Sequence, residues 1–449
     1  MNYDERLSNV SILGAAGKMG SGILLLTAVE MADLSYKKEN SNLTFILNAI
    51  DVSDKVLAGL LEYVRILGRK IAEKKIIFLS EIYSDNPSFV YNNEIIDDYI
   101  HRILSLIRPS TLIESTYKSN VIFEAVNENP DLKIKLINQI DDNNNLKPWF
   151  FTNTSSVPIS YLNEKCRLEG RIIGFHFYNP PAVQKLVELI NGNNTVSDLN
   201  TFALEYAKKL RKIVVHSNDI AGFIGNGHFM RDILLGIEIL NELKSDFGFS
   251  EAVYIVNKVS QDFMIRPMGI FQLIDYVGLD VCKYIMEVMN PYFEDENIHS
   301  DLLDILFERG VIGGQNSDGS QKDGFMKYSK GKIAEIYDFN TNKYIGYDKI
   351  SQKMDIIIGK LPNNYISWKE VIKIKEREEL LKKYFENLEL DKTLGATVAK
   401  KILKGTRNIG LKLVEQNVAK SEKDVNDVML TGFFHCYGPI NNYLHWEEI

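Results

Sequence analysis

Cysteine is scarce in this chain. Its 449 residues include three, Cys166, Cys282 and Cys436, far apart, in no CxxC pair and beside no histidine cluster. That spacing argues against a disulfide framework and against a metal site, and it fits a reducing compartment, the cytoplasm. Long apolar runs are missing too. No stretch of eighteen apolar residues occurs, so no membrane-spanning helix is expected. The N-terminus lacks a signal peptide's order of charged and apolar regions. Basic charge is not in excess: 52 lysines and arginines face 60 acidic residues, for a net charge of −8. Such a chain is a poor general nucleic-acid binder, although a local basic patch for an anionic substrate remains compatible with it. A content of 45% hydrophobic and 25% charged residues is ordinary for a globular protein, and the length points to two or three domains.

What is present begins with a strand and a glycine turn. Residues 9–13 (NVSIL) read as a buried strand running into GAAGKMGSG, with glycines at 14, 17, 20 and 22, and then into the apolar, helix-like ILLLTAVEMA. Strand, glycine turn and helix in that order suit a dinucleotide. Glycines let the backbone approach a pyrophosphate, and a helix N-terminus offers free N–H groups. The spacing is GxxGxxG rather than GxGxxG, and a plain tight turn is the alternative. Residues 44–50 form a second strand ending in Asp51. An acid there can hydrogen-bond the ribose hydroxyls and repel a 2′-phosphate. No Arg stands beside it, so NAD(H) is expected over NADP(H); a helix N-cap role for Asp51 would not preclude that contact. The extra length between Gly20 and Asp51 lies in the polar DLSYKKENSN, read as a surface insertion.

Residues 54–75 form an amphipathic helix with Arg65, Arg69, Lys70 and Lys74 gathered on one side, either a solvated face or an anion-binding one. Residues 76–109 resist parsing, with SDNPSFVYNNE as a loop. NVIFEAV at 120–126 is another buried strand, 130–140 is helix-like, and 149–152 begins a strand leading into NTSS. Repeated strand and helix patterns of this kind indicate a parallel, doubly wound sheet. Residues 197–210 then read as a helix, 212–216 as a final strand, and SNDIAGFIGN as a crossing into a second domain. From Asn226 onward the periods are helical, with almost no strand signal until the polar region at 317–332.

The polar residues suited to chemistry gather at 153–190. Residues 170–178 look like a strand with Ile173, Phe175 and Phe177 on one face, His176 on the other, and a stop at Asn179-Pro180-Pro181. In the second apolar run, 185–190, Glu188 shares a face with Leu186 and Ile190. A carboxylate there is costly to bury unless something pairs with it, and the nearest candidate is His176. Such a pair makes a general base near neutral pH. Taken singly, His176 also suits a backbone-bonded core histidine, and Glu188 an edge carboxylate facing water. Ser155, in the NTSS turn before Pro158, is either a hydroxyl donor to the same pocket or a turn or cap serine. Asn226, just after AGFIG, is either a site residue or a helix cap.

In their order along the chain, GAAGKMG, IFEAVNEN, TNTSSVPI, IIGFHFYNPPAVQKLVELI, AGFIGN and RPMGIFQLIDYVGLD resemble the 3-hydroxyacyl-CoA dehydrogenases. The match covers roughly residues 9–280, with a weaker extension through DGSQKDGFMKY to about 328; HFYNP followed by KLVE is its most specific part. The resemblance implies a Rossmann-type NAD-binding domain followed by a helical domain. It assigns the base to His176, its orienting acid to Glu188, and substrate contacts to Ser155 and Asn226, with Asn179 supporting the His strand. It assigns cofactor contacts to Gly14, Gly17, Lys18, Met19, Gly20, Asp51, Glu124 and Asn153. Three positions depart from the family pattern: the glycine turn is one residue longer than usual, Ala221 stands where Pro is usual, and Gly227 where Arg is usual.

Residues 396–444 echo the second domain. Ile233-Leu234 answers Ile402-Leu403, Ser250-Glu251 answers Ser421-Glu422, and Met268-Gly269 answers Tyr437-Gly438. The offset of the first pair sets Gly395 opposite Asn226, so the later copy lacks the site residue. The expectation is an α/β Rossmann-type doubly wound sheet followed by all-α C-terminal domains. Residues 1–218 bind NAD, 219–335 form the helical substrate domain, and 336–449 hold a charge-rich linker (360–390) and a degenerate copy. The expected activity is interconversion of (S)-3-hydroxyacyl-CoA and 3-oxoacyl-CoA with NAD(H). The expected partner is an acyl-CoA, with neither nucleic acid nor membrane, in a monomer with paired helical domains or a homodimer. Two rivals stand beside it: a dehydrogenase of a small free hydroxy acid, and a nucleotide-binding protein without turnover.

Overall fold

Short runs of β-branched and aromatic residues become eight strands of one sheet: β1 (Asn9–Leu13), β2 (Ile46–Ile50), β3 (Ile107–Ser110), β4 (Val121–Glu124), β5 (Trp149–Thr152), β6 (Ile172–Phe177), β7 (Leu186–Ile190) and β8 (Ile213–Ser217). A computed structural model describes residues 1–84, 89, 91–316 and 319–447. The spatial order is β3-β2-β1-β4-β5-β6-β7-β8. Every residue of β4, β6 and β7 is buried, as expected of strands covered on both faces. The expected parallel pattern has one exception, since β6 and β7 run antiparallel. The eight residues at 178–185 are too few for a parallel crossover, which takes a dozen or more. The helix Ser197–Lys209 then supplies a crossover, and β8 lies parallel to β7.

The stretch that the sequence left unparsed holds two helices, Ile76–Ile82 and Asn92–Leu106, before β3. The second buries Ile95, Ile96, Tyr99, Ile100, Ile103 and Leu106, a helical stripe. Its Tyr99 hydroxyl donates to Asp33 at 2.6 Å, on the helix Gly20–Ser35, and Lys75 also pairs with Asp33. Of the expected loop at 84–94, positions 85–88 and 90 lie outside the described residues. The polar segment after the first long helix is tied down more than a surface insertion would be: Asn40 is buried and donates to Asp4 and to the Leu34 carbonyl.

The chain divides into two compact units, Met1–Asp219 and Ile220–Ile449. The second is mainly helical, as expected, but adds a three-stranded antiparallel sheet of β9 (Met326–Ser329), β10 (Lys332–Asp338) and β11 (Lys343–Gly346). All-α is therefore amended. Their Tyr and Ile residues suit strands, and positive φ at Lys330, Gly331 and Asn342 makes the two turns. β10 runs across position 335, and the residues on both sides of it belong to one unit. Within that unit the helix Phe223–Phe247 packs along the helix Leu394–Glu415. Buried Asp232 accepts from Arg266 at 2.8 Å and from Thr406 between them.

Candidate active site

The glycine turn is shaped by close approach. Gly14 has φ +71°, and a Cβ there would stand 2.6 Å from the Ala125 carbonyl oxygen; at Gly20 it would stand 2.0 Å from the Gly14 oxygen. Neither position tolerates a side chain. The helix begins at Gly20, leaving exposed Gly17 and Lys18 and half-buried Met19 at its mouth. Asp51, at the end of β2, accepts the Ala16 N–H at 2.8 Å and its own neighbour's N–H, from Val52, at 2.8 Å. It therefore braces the turn. A glycine turn at a helix N-terminus with an acid at the end of the neighbouring strand fits NAD.

Glu124, expected among the cofactor contacts, is held within the protein. It is fully buried, and its oxygens accept from Lys133 at 2.8 and 2.9 Å, from the Val126 N–H at 2.9 Å and from the Thr152 hydroxyl at 2.6 Å. With both oxygens engaged inside the protein, it anchors the end of β4. Lys133 also pairs with Glu128 at 3.1 Å. Glu128 Oε1 in turn gathers the 153–156 turn, accepting from the Thr154 hydroxyl (2.5 Å), the Ser155 N–H (2.8 Å) and the Ser156 N–H (3.0 Å). Burial raises the Glu128 pKa, but the Lys133 ammonium and these donors outweigh it and bring it down to about 2. Asn153 accepts the Phe177 N–H at 2.9 Å, joining this turn to β6. The sequence reading missed Glu128 and Lys133. Their signal was helical period: Lys133 shares a face with Ile137 and Ile140 on the helix Pro130–Asn143, so it had to be buried and paired.

His176 and Glu188 are register partners across β6 and β7. His176 is 8% exposed and Glu188 fully buried, and imidazole Nδ1 lies 3.4 Å from Glu188 Oε1. The structure thus brings together the pair that the sequence put on neighbouring strands. It adds Tyr178, which was not foreseen, whose hydroxyl donates to the same Oε1 at 2.6 Å. Two-residue strand period sets Tyr178 on the His176 face, which was the available signal. Ser155 has its N–H on Glu128 and its hydroxyl 3.5 Å from the same oxygen. Asn226 lies in the second unit, half-buried in the first turn of the helix Phe223–Phe247. The cap of that helix is Gly222, so the capping alternative for Asn226 does not hold.

No helix among the described residues is long and apolar enough to cross a membrane. Family models of the 3-hydroxyacyl-CoA dehydrogenase NAD-binding domain and C-terminal domain match residues 9–220 and 222–323. A probable 3-hydroxybutyryl-CoA dehydrogenase from Deinococcus radiodurans is 30% identical over 221 residues, covering 49% of this chain and 77% of the relative. A probable 3-hydroxyacyl-CoA dehydrogenase from Caenorhabditis elegans is 27% identical over 321 residues, 71% of this chain and 93% of the relative. The crystal structure of 3-hydroxybutyryl-CoA dehydrogenase from Escherichia coli shares the fold, with a TM-score of 0.62 and 18% identity over 97% of this chain and 90% of that one. With its glycine turn, its acid at the end of β2 and these matches along both units, the chain belongs to the 3-hydroxyacyl-CoA dehydrogenase family and is an NAD-dependent oxidoreductase.

Proposed function

We propose that this enzyme interconverts an (S)-3-hydroxyacyl-CoA and the corresponding 3-oxoacyl-CoA. The observation that carries the reading is the cross-strand pair, imidazole Nδ1 3.4 Å from a buried carboxylate, in a chain of this family. Bound NAD supplies the acceptor for the C3 hydride. His176, with Nδ1 turned to Glu188, takes the hydroxyl proton on Nε2 as that hydride departs. Glu188 selects the imidazole tautomer and stabilises the imidazolium, in the way that a buried carboxylate serves a catalytic histidine elsewhere. To Ser155 and Asn226 we assign polarisation of the substrate oxygen, where charge develops. Gly14, Gly17, Lys18, Met19, Gly20, Asp51 and Asn153 are the proposed cofactor-facing residues.

Residues 396–444 we read as a degenerate copy of the helical domain. The order of elements supports this: a long helix, Leu394–Glu415, then a short one, Glu422–Thr431, repeats Phe223–Phe247 and Phe249–Lys258. Ser250 and Ser421 both lie near the start of a short helix, the first as its second residue and the second as its cap. Such a copy, packed on the first within one chain, suits a monomer.

The test follows NADH absorbance after addition of acetoacetyl-CoA, with free acetoacetate as control. Turnover of the thioester alone is expected. Equal turnover of the free acid would replace this reading with a small hydroxy-acid dehydrogenase, and no turnover of either would leave a nucleotide-binding protein.

A further inference from the structure

Glu188 Oε1 is approached by two groups that differ in kind. The Tyr178 hydroxyl is at 2.6 Å, a short hydrogen bond, while His176 Nδ1 is at 3.4 Å, beyond good hydrogen-bond distance. The tyrosine and imidazole rings lie beside each other, with centroids 4.9 Å apart and planes at 40°. All three side chains are on one face of the β6–β7 pair: His176 opposite Glu188 in register, and Tyr178 two residues further along, on the diagonal. A phenol this close to a buried carboxylate is held neutral, since burial and then the Glu188 charge push its pKa far up. It stays a donor across the accessible pH range.

We propose that Tyr178 is a positioning residue of the active site, whose hydroxyl shares Glu188 Oε1 with the His176 imidazole and thereby limits how tightly the carboxylate holds it. The argument is one of competition. A carboxylate that already donates electron density to a strong hydrogen bond has less to give to a second partner on the same oxygen. The 2.6 and 3.4 Å distances show which partner has the closer claim. The base is thus tuned to release its proton again, as a reaction run in both directions requires. This inference rests on the His176–Glu188 reading given above.

Two other charged groups at this end of the sheet are engaged elsewhere. Glu128 is engaged by Lys133 and the 153–156 turn. The residue of β8 beside Glu188 is the apolar Val215. Lys212 sits over the ring of Phe177, which points away from His176, and donates to the Pro181 and Gln184 carbonyls.

The experiment uses the full chain with Tyr178→Phe, which keeps the ring and removes the hydroxyl. Two readouts are taken: the pH profile of kcat/KM for oxidation, and an NMR titration of 13C-labelled histidine in the NAD-free protein. Freed of its rival, the carboxylate should hold the proton on His176 to higher pH. Both midpoints should rise by about half a unit to one unit, with KM for NAD changed less than about twofold. In a Glu188→Gln background, Tyr178→Phe should add nothing. If Tyr178→Phe fails to fold, 3,5-difluorotyrosine at position 178, a stronger donor, should move the midpoints down instead. Midpoints that stay put, or that move against these directions, overturn the proposal. They leave the base assignment intact if Glu188→Gln alone still lowers kcat by orders of magnitude. A Glu188→Gln variant near wild type overturns both.

Discussion

Replacing Glu188 by Gln keeps the shape of the side chain in β7 and removes one negative charge. In the structure that charge lies 3.4 Å from imidazole Nδ1, so at an effective dielectric constant of about 20 it is worth roughly 5 kcal/mol to the imidazolium. At about 1.36 kcal/mol per tenfold, this sets a ceiling between three and four powers of ten. The glutamine dipole offsets part of the loss, which places the expected fall in kcat below that ceiling, at roughly 100- to 1,000-fold, within the range of a general base. His176→Ala should fall in the same range, and the double variant should cost far less than the product of the single losses, because the two residues act as a unit. The assay is steady-state oxidation of 3-hydroxybutyryl-CoA, followed as NADH across pH 6 to about 9, with NADH affinity measured separately by fluorescence and expected to change little. A Glu188→Gln enzyme within a fewfold of wild type across that profile refutes the reasoning, since the buried charge would then have no part in the chemistry.

Asp51→Ala should narrow a strong preference for NADH over NADPH and also loosen the glycine turn, because the Ala16 N–H loses its acceptor; equal kcat/KM of the wild type with both cofactors would refute the assignment. Lys133→Met leaves the buried carboxylates of Glu124 and Glu128 without their cation and should cost roughly 3–5 kcal/mol in urea unfolding; a loss below about 1 kcal/mol would show the cluster to be incidental. Because the Glu128 pKa is depressed to about 2 in the folded protein, its contribution is present above the ordinary carboxylate range and is lost as pH falls through about 2. Glu128→Gln should therefore lower Tm at neutral pH and flatten its fall on acidification, as read by calorimetry. Truncation after Tyr328 removes the helix that packs on Phe223–Phe247, strips Thr406 from the buried Asp232, and bares Leu235 and its neighbours. Aggregation or a new dimer is expected in light scattering, and a soluble, fully active monomer would show the tail to be dispensable.

The strands near the site were legible because buried strands announce themselves as short apolar runs. Residues 149–152 coincide with β5, and 170–178 and 185–190 contain β6 and β7. The His176–Glu188 pair was legible for a related reason: strand period gives the face, and a buried acid needs a partner. Less visible were features that depend on neighbours remote in sequence. The helix Asn92–Leu106 follows a polar stretch and owes its place to Asp33 and to the helices it covers. The saturation of Glu124 depends on Thr152, on the next strand. The β9–β11 sheet was hidden by its polar composition, since half-exposed strands at the surface carry little apolar signal.

One glycine in the tail bears on the history of the chain. A Cβ at Gly395, which the proposed duplication sets opposite Asn226, would stand 2.4 Å from the Phe263 ring and 2.6 Å from Ile358. Phe263 is itself fully buried. Any side chain at 395, asparagine included, would have to evict a core aromatic before it could face a substrate. If the tail arose by duplication, the exchange of a functional side chain for a contact surface works as a ratchet. The second copy cannot regain a site by a single substitution at this position, and each further mutation that tightens the packing around Phe263 moves that possibility further away.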